Sequence, residues 1–180
     1  MNNSSKSNPK PSLSKNKAFI VETIYLILIF IVMMLIFFDV IDTGFFLGQL
    51  RFSHWMGIIG ALFIMVFAPI FYYLKRRYPK RYKILMQIHV FGFTTSFLLV
   101  SIHLAGQLNR PLQFYPDLGA GLALYIIVAI LVITGYLHRY HPFNLGNKKS
   151  APHFGRKLHV GLISGLYIVI IVHFAINFPI

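Results

Sequence analysis

Five apolar stretches, at residues 18–40, 54–74, 84–107, 118–138 and 155–177, restrict this chain to very few folds. At about 1.5 Å of rise per residue, each is long enough to cross roughly 30 Å of hydrocarbon as a helix. In lipid a backbone must satisfy its own N–H and C=O groups, which a helix does within one segment. The expected fold is therefore all-α, an integral membrane bundle of five transmembrane helices. Composition agrees: 57% of the 180 residues are hydrophobic, 12% are charged, and mean hydropathy is +0.68. Soluble globular domains of this size do not look like that.

Residues 1–16 are polar and rich in Ser, Asn, Lys and Pro, so a disordered tail is expected ahead of one membrane domain over 17–180. That domain leaves no room for an added soluble catalytic unit. The first apolar stretch is too long for a signal peptide and no small-residue cleavage site follows it, so it reads as the first span. Trp55, Tyr72, Tyr73, Tyr115 and Tyr140 fall near span ends, where amphipathic rings favour the headgroup region.

The net charge of +13 raises the question of nucleic acid, but its placement argues against that partner. Fifteen of the seventeen Lys and Arg fall in residues 6–17, residues 75–83 and residues 139–157. Only Arg51 and Arg110 occupy the other two connections, which also hold Asp39, Asp42 and Asp117. This is the positive-inside asymmetry of a multispanning protein, and it places the N-terminus inside and the C-terminus outside. The basic face also suits anionic membrane lipid.

Histidine carries the functional signal. His89 and His103 lie fourteen residues apart in the third apolar stretch, and His159 and His173 repeat that interval in the fifth. Fourteen residues make four turns at about 3.5 residues each and about 21 Å of rise, so each pair projects from one helix face at two depths. The third and fifth spans run in the same direction. The expected partners are therefore His89 with His159 near the inner surface and His103 with His173 near the outer one. The two spans also resemble each other, HVFGFTTSFLLVSIHLA against HVGLISGLYIVIIVHFA.

Paired imidazoles at two depths suit two low-spin haems, each iron held axially by two neutral histidines. Intramembrane ionisable groups are costly and point to function. With no cysteine in the chain, disulfides, iron–sulfur clusters, thiolate ligation and covalent CxxCH haem attachment are excluded, so the expected cofactor is haem b or a similar haem held by histidine or methionine. Gly92, Gly106, Gly161 and Gly165 follow the histidines closely, and serve equally to admit a flat macrocycle or to pack helices tightly. Lys83, Arg156 and Lys157 are candidate propionate partners for the inner haem, and Arg110 for the outer. Phe91, Phe93 and Phe97 lie between the two levels.

The remaining polar groups are less telling. His138 and His141 sit where the fourth span meets the basic face, and His153 lies in the inner loop. His54 opens the second span on the outer side, within reach of the outer haem or a substrate. Glu22 is shallow in the first span, where snorkelling or pairing with nearby Lys17 is a simpler account than proton relay.

The spacing His89-x13-His103 and His159-x13-His173 resembles the ferric reductase-like transmembrane domain superfamily, which includes the membrane part of NADPH oxidases. It is also similar in ligand arrangement to cytochrome b of quinol-oxidising complexes. HWMGIIG at 54–60, MQIHVFG at 86–92 and ITGYLHRY at 133–140 support the resemblance, which spans roughly 52–177. It implies a membrane cytochrome that carries electrons across the bilayer, with His89 and His159 on one haem and His103 and His173 on the other. No dinucleotide-binding glycine fingerprint occurs, so a complete reductase is not expected in these residues. Quinol or a separate flavin dehydrogenase would supply electrons to an unknown acceptor, in the plasma membrane of a prokaryote. The alternatives are a quinol-oxidising anchor subunit of a multisubunit oxidoreductase and, in a different class, a histidine-lined metal or proton transporter.

Overall fold

The computed structural model describes residues 13–111, 113, 118–140 and 151–177, with side chains over 17–111, 113, 118–140 and 157–176. Five helices account for nearly all of it: α1 (Leu13–Phe37), α2 (Phe52–Arg77), α3 (Tyr82–Leu108), α4 (Gly119–Tyr140) and α5 (Ala151–Asn177). All five are long and apolar enough to cross a membrane. A two-stranded hairpin, β1 (Phe46–Leu47) and β2 (Leu50–Arg51), precedes α2, and a 3-10 turn at Pro79–Arg81 joins α2 to α3. The end of the bundle carrying the hairpin is called the hairpin face below, and the opposite end the basic face.

Helix ends follow local chemistry. The apolar stretch predicts a first span reaching residue 40, yet α1 stops at Phe37. Asp39 adopts φ 61, and the N–H groups of Val40 and Ile41 turn back to the Leu35 carbonyl at 2.8 and 3.2 Å. A left-handed residue followed by such bonds closes a helix, and Asp tolerates that conformation better than most residues. At the other end, α1 takes in residues 13–16, which the sequence places in the tail. In the hairpin, Leu47 pairs with Leu50 around Gly48–Gln49, and Gly48 supplies the positive φ of 68 that the two-residue turn requires. Trp55 pins the hairpin to α2 by donating its indole N–H to the Leu47 carbonyl at 2.8 Å.

Helix α2 contains Pro69, which has no N–H to offer the carbonyl of residue 65. That carbonyl is not left bare. Tyr167 of α5 donates its hydroxyl to Met65 O at 2.8 Å, so the proline's missing bond becomes a tie between two spans.

Packing runs chiefly α2 on α3, then α4 on α5, α1 on α3 and α3 on α4. The two histidine-paired helices, α3 and α5, are not among these principal contacts. Between them lies a core of Ile64, Val128, Leu131, Leu166 and Ile170, flanked by Phe93 and Phe97. Ile20, Ile24, Ile27 and Phe30 of α1 are exposed, as expected of a helix whose outer surface faces lipid. On its inner side α1 buries Glu22, whose carboxylate accepts the Tyr140 hydroxyl at 2.7 Å and lies 4.0 Å from Arg139. The sequence offered neighbouring Lys17 as its partner; the fold supplies α4 instead.

Candidate cofactor sites between the histidine helices

On the hairpin side, His103 of α3 is fixed by two features of α2. Its Nδ1 lies 3.0 Å from the Ser53 carbonyl, which can only accept, so Nδ1 carries the proton and donates. The ring also rests on the backbone at Gly57, where a Cβ would fall 2.7 Å from His103 Cγ. Glycine is required there by this close approach. With Nδ1 protonated, Nε2 keeps a free lone pair, the form in which a histidine ligates metal.

His173 of α5 lies against Gly121 of α4, with its Cε1 3.3 Å from the position of an added Cβ. His103 and His173 line one cavity of about 260 Å³, walled by apolar residues such as Ile58, Leu124 and Ile170. Tyr125, stacked on Phe97 at 5.5 Å, forms part of its wall. His54, Gln107 and Arg110 line the same space. His54 stands edge-on to His103 with ring centroids 5.3 Å apart, and Gln107 Nε2 lies 3.4 Å from His54 Nε2.

Nearer the basic face, His159 of α5 places Nδ1 3.1 Å from Thr134 Oγ1. That hydroxyl is already 2.7 Å from the Ile130 carbonyl, to which it donates, leaving its lone pair to accept from His159 Nδ1–H. The result matches His103: a protonated Nδ1 and a free Nε2. Gly135, the next residue, faces the His159 ring, whose Cε1 is 3.6 Å from an added Cβ. His89 lies on α3. Its ring stacks on Phe71 at 4.4 Å and meets Phe93 at 4.6 Å, while its buried Nδ1 finds no protein partner.

His103 of α3 and His173 of α5 thus line one cavity, while His89 and His159 lie on the same two helices. Among the described residues no three His, Cys, Asp or Glu converge as a protein-only metal cage.

Other candidates are more dispersed. Gly92 and Gly106 serve helix packing: Gly92 lies under the Phe63 ring, and an added Cβ at Gly106 would sit 2.7 Å from Ser53 Cβ. A Cβ added at Gly161 or Gly165 would meet none of the described neighbouring atoms within 4 Å. Lys83 and Lys157 are exposed at the basic ends of α3 and α5, while the side chain of Arg156 lies outside the described residues, as do Tyr115, Asp117, His141 and His153. His138 is exposed. Arg110 is partly buried at the cavity mouth, where burial and then the charge of Arg51 draw its pKa below the ordinary guanidinium value.

The sequence pattern finds the four histidines but misses the groups that orient them. Gly57 and Gly135 lie within HWMGIIG and ITGYLHRY, and Thr134 within the latter, so the signal was present as motif without an assigned role. No protein-family model, curated protein or solved structure matches this chain.

Proposed function

We propose that this protein is a membrane b-type cytochrome, holding two haems between α3 and α5 and carrying electrons across the bilayer. The reading keeps the resemblance to ferric reductase-like transmembrane domains and the orientation with the basic face inside. The observation that carries it is the state of His103 and His159: each Nδ1–H is engaged by an oxygen, and each Nε2 is left free. Such outer hydrogen bonds fix tautomer and ring orientation in histidines that bind metal.

The residues fit the group. His103 and His173 face one apolar-walled cavity, and Gly57 and Gly121 stand where any side chain would crowd the rings. His89 and His159 form the second pair, with Phe71 and Phe93 covering His89. Bound haem would supply a one-electron carrier at each level. The protein's own contribution is orientation and exclusion. Ser53 and Thr134 hold the imidazoles, the core about Ile64 and Leu166 keeps water from the space between levels, and Arg110 offers a carboxylate partner at one mouth. Lys83 and Lys157, with Arg156, are the corresponding cations on the basic side. Quinol or a separate flavin dehydrogenase would act as donor.

The function is tested in proteoliposomes holding trapped ferricyanide, with dithionite added outside. The account expects loss of trapped ferricyanide at a rate set by protein content, and at least tenfold slower with His89→Ala or His103→Ala. Equal rates in parent and variants would remove the proposed path.

A further inference from the structure

A second hollow, of about 380 Å³, lies on the hairpin face and is lined by Phe46, Gln49, Leu50, Arg51, His54 and Arg110. It shares Leu50, His54 and Arg110 with the cavity between His103 and His173 but includes neither of those histidines. Its two cations are held by framework. Arg51 ends the hairpin strand and lies 5.6 Å from the Phe46 ring centroid. Arg110 follows the end of α3, which Asn109 ties to the α1–α2 connection by donating to Asp39 Oδ1 at 3.0 Å.

The charge balance of this mouth is unusual. Arg51 and Arg110 are close enough for one to perturb the other, yet the ion pair found among the described residues is Arg139–Glu22, at the other end of the bundle. Of the described acids in these connections, Asp39 accepts from Asn109 and Asp42 from the Gly44 N–H at 2.6 Å, while Asp117 lies outside the described residues. Among the described residues, Arg110 Nε and His54 Nδ1 are buried without hydrogen-bond partners. Topology does not account for these cations either, because the positive-inside asymmetry is served by keeping Lys and Arg off this face, and these two are the exceptions in its connections.

Guanidinium groups donate and never accept, and their planar forks match the paired oxygens of a carboxylate or phosphate. The geometry points to an oxyanion receptor in which Arg51 and Arg110 grip a carboxylate or phosphate group, with His54 and Gln107 behind them. This inference stands without haem, since Arg51 has no part in the cofactor reading. Three sources present the same chemistry: a dissolved anion, a phospholipid headgroup, or the carboxylates of a molecule seated in the adjoining cavity.

The test uses the full chain in neutral detergent, haem-free and after haem addition, titrated with inorganic phosphate at constant ionic strength and followed by thermal unfolding. A parallel set uses nanodiscs of phosphatidylcholine with or without phosphatidylglycerol. Saturable stabilisation of the haem-free protein by phosphate identifies a dissolved anion. Stabilisation by phosphatidylglycerol alone identifies a headgroup, and a phosphate effect abolished by haem addition identifies the cofactor's carboxylates. In each case Arg51→Gln and Arg110→Gln weaken binding by roughly tenfold or more, while Lys80→Gln on the basic face leaves it unchanged. Arg51→Lys keeps charge but loses the fork, and gives a smaller loss that does not depend on the fate of the Gln variants. No saturable anion effect in any arm, or an equal effect in Arg51→Gln, Arg110→Gln and the parent, overturns the proposal. Haem binding is read separately from Soret absorbance, so failure of the cytochrome reading leaves this result intact.

Discussion

Substituting Gly57 with alanine places one methyl group against a candidate ligand and tests how that ligand is held. The new Cβ would stand 2.7 Å from His103 Cγ and 3.0 Å from its Cδ2 and Nδ1, inside the 3.4 Å at which ordinary contact begins. Relief at Cγ requires the ring, or helix α2, to move by about 0.7 Å, the difference between 3.4 and 2.7 Å. The Nδ1–H bond to the Ser53 carbonyl is 3.0 Å long at present, and a shift of that size away from α2 carries it beyond hydrogen-bond range. Overpacking of a buried position costs about 1–3 kcal/mol, and losing the bond adds about 1 kcal/mol. Gly57→Ala is therefore expected to lower unfolding stability in detergent by about 2–4 kcal/mol. It should also weaken haem at the His103–His173 level while sparing the His89–His159 level. Haem titration followed in the Soret band, beside thermal unfolding of the same samples, reads both effects. Parent-like stability together with parent-like haem binding would refute the claim that α2 sets the position of this ring.

Thr134→Val keeps side-chain shape but removes the oxygen that accepts from His159 Nδ1–H; haem affinity at the His89–His159 level should fall roughly 10–100-fold in the same titration, and unchanged affinity would count against that orienting role. Tyr167→Phe deletes the donor to the Met65 carbonyl that Pro69 leaves unpaired, and about 1 kcal/mol of stability should go with it in a denaturation series. Glu22→Ala removes the acceptor for Tyr140 and the partner of Arg139, so a loss of about 1.5–3 kcal/mol is expected, with Lys17→Ala close to neutral as the comparison.

The fold was legible wherever apolar length decides it. Five helices long enough to span follow from five runs of suitable length, and two of the four paired histidines, His103 and His173, line one cavity. What escaped the sequence lies in tertiary neighbours. Gly92 and Gly106 share a helix with histidines at a spacing of three, yet they face α2, where Phe63 and Ser53 pack against them. The glycines that touch imidazoles, Gly57, Gly121 and Gly135, sit on other helices, and no spacing along α3 or α5 can reveal them. Glu22 repeats the lesson, for its partners Arg139 and Tyr140 lie more than a hundred residues away. The hairpin escaped because two-residue strands give no alternating pattern; Gly48 was its one local sign. The end of α1 was misplaced because Asp39 closes the helix by backbone conformation while the apolar run continues past it.

The central claim is that two imidazole pairs each hold one haem, and pyridine haemochrome analysis of purified protein tests it most directly. The account predicts two haem b groups per chain in the parent, one in His89→Ala, one in His103→Ala, and two in His54→Ala. A parent preparation without haem, or single variants that both retain two, would contradict it.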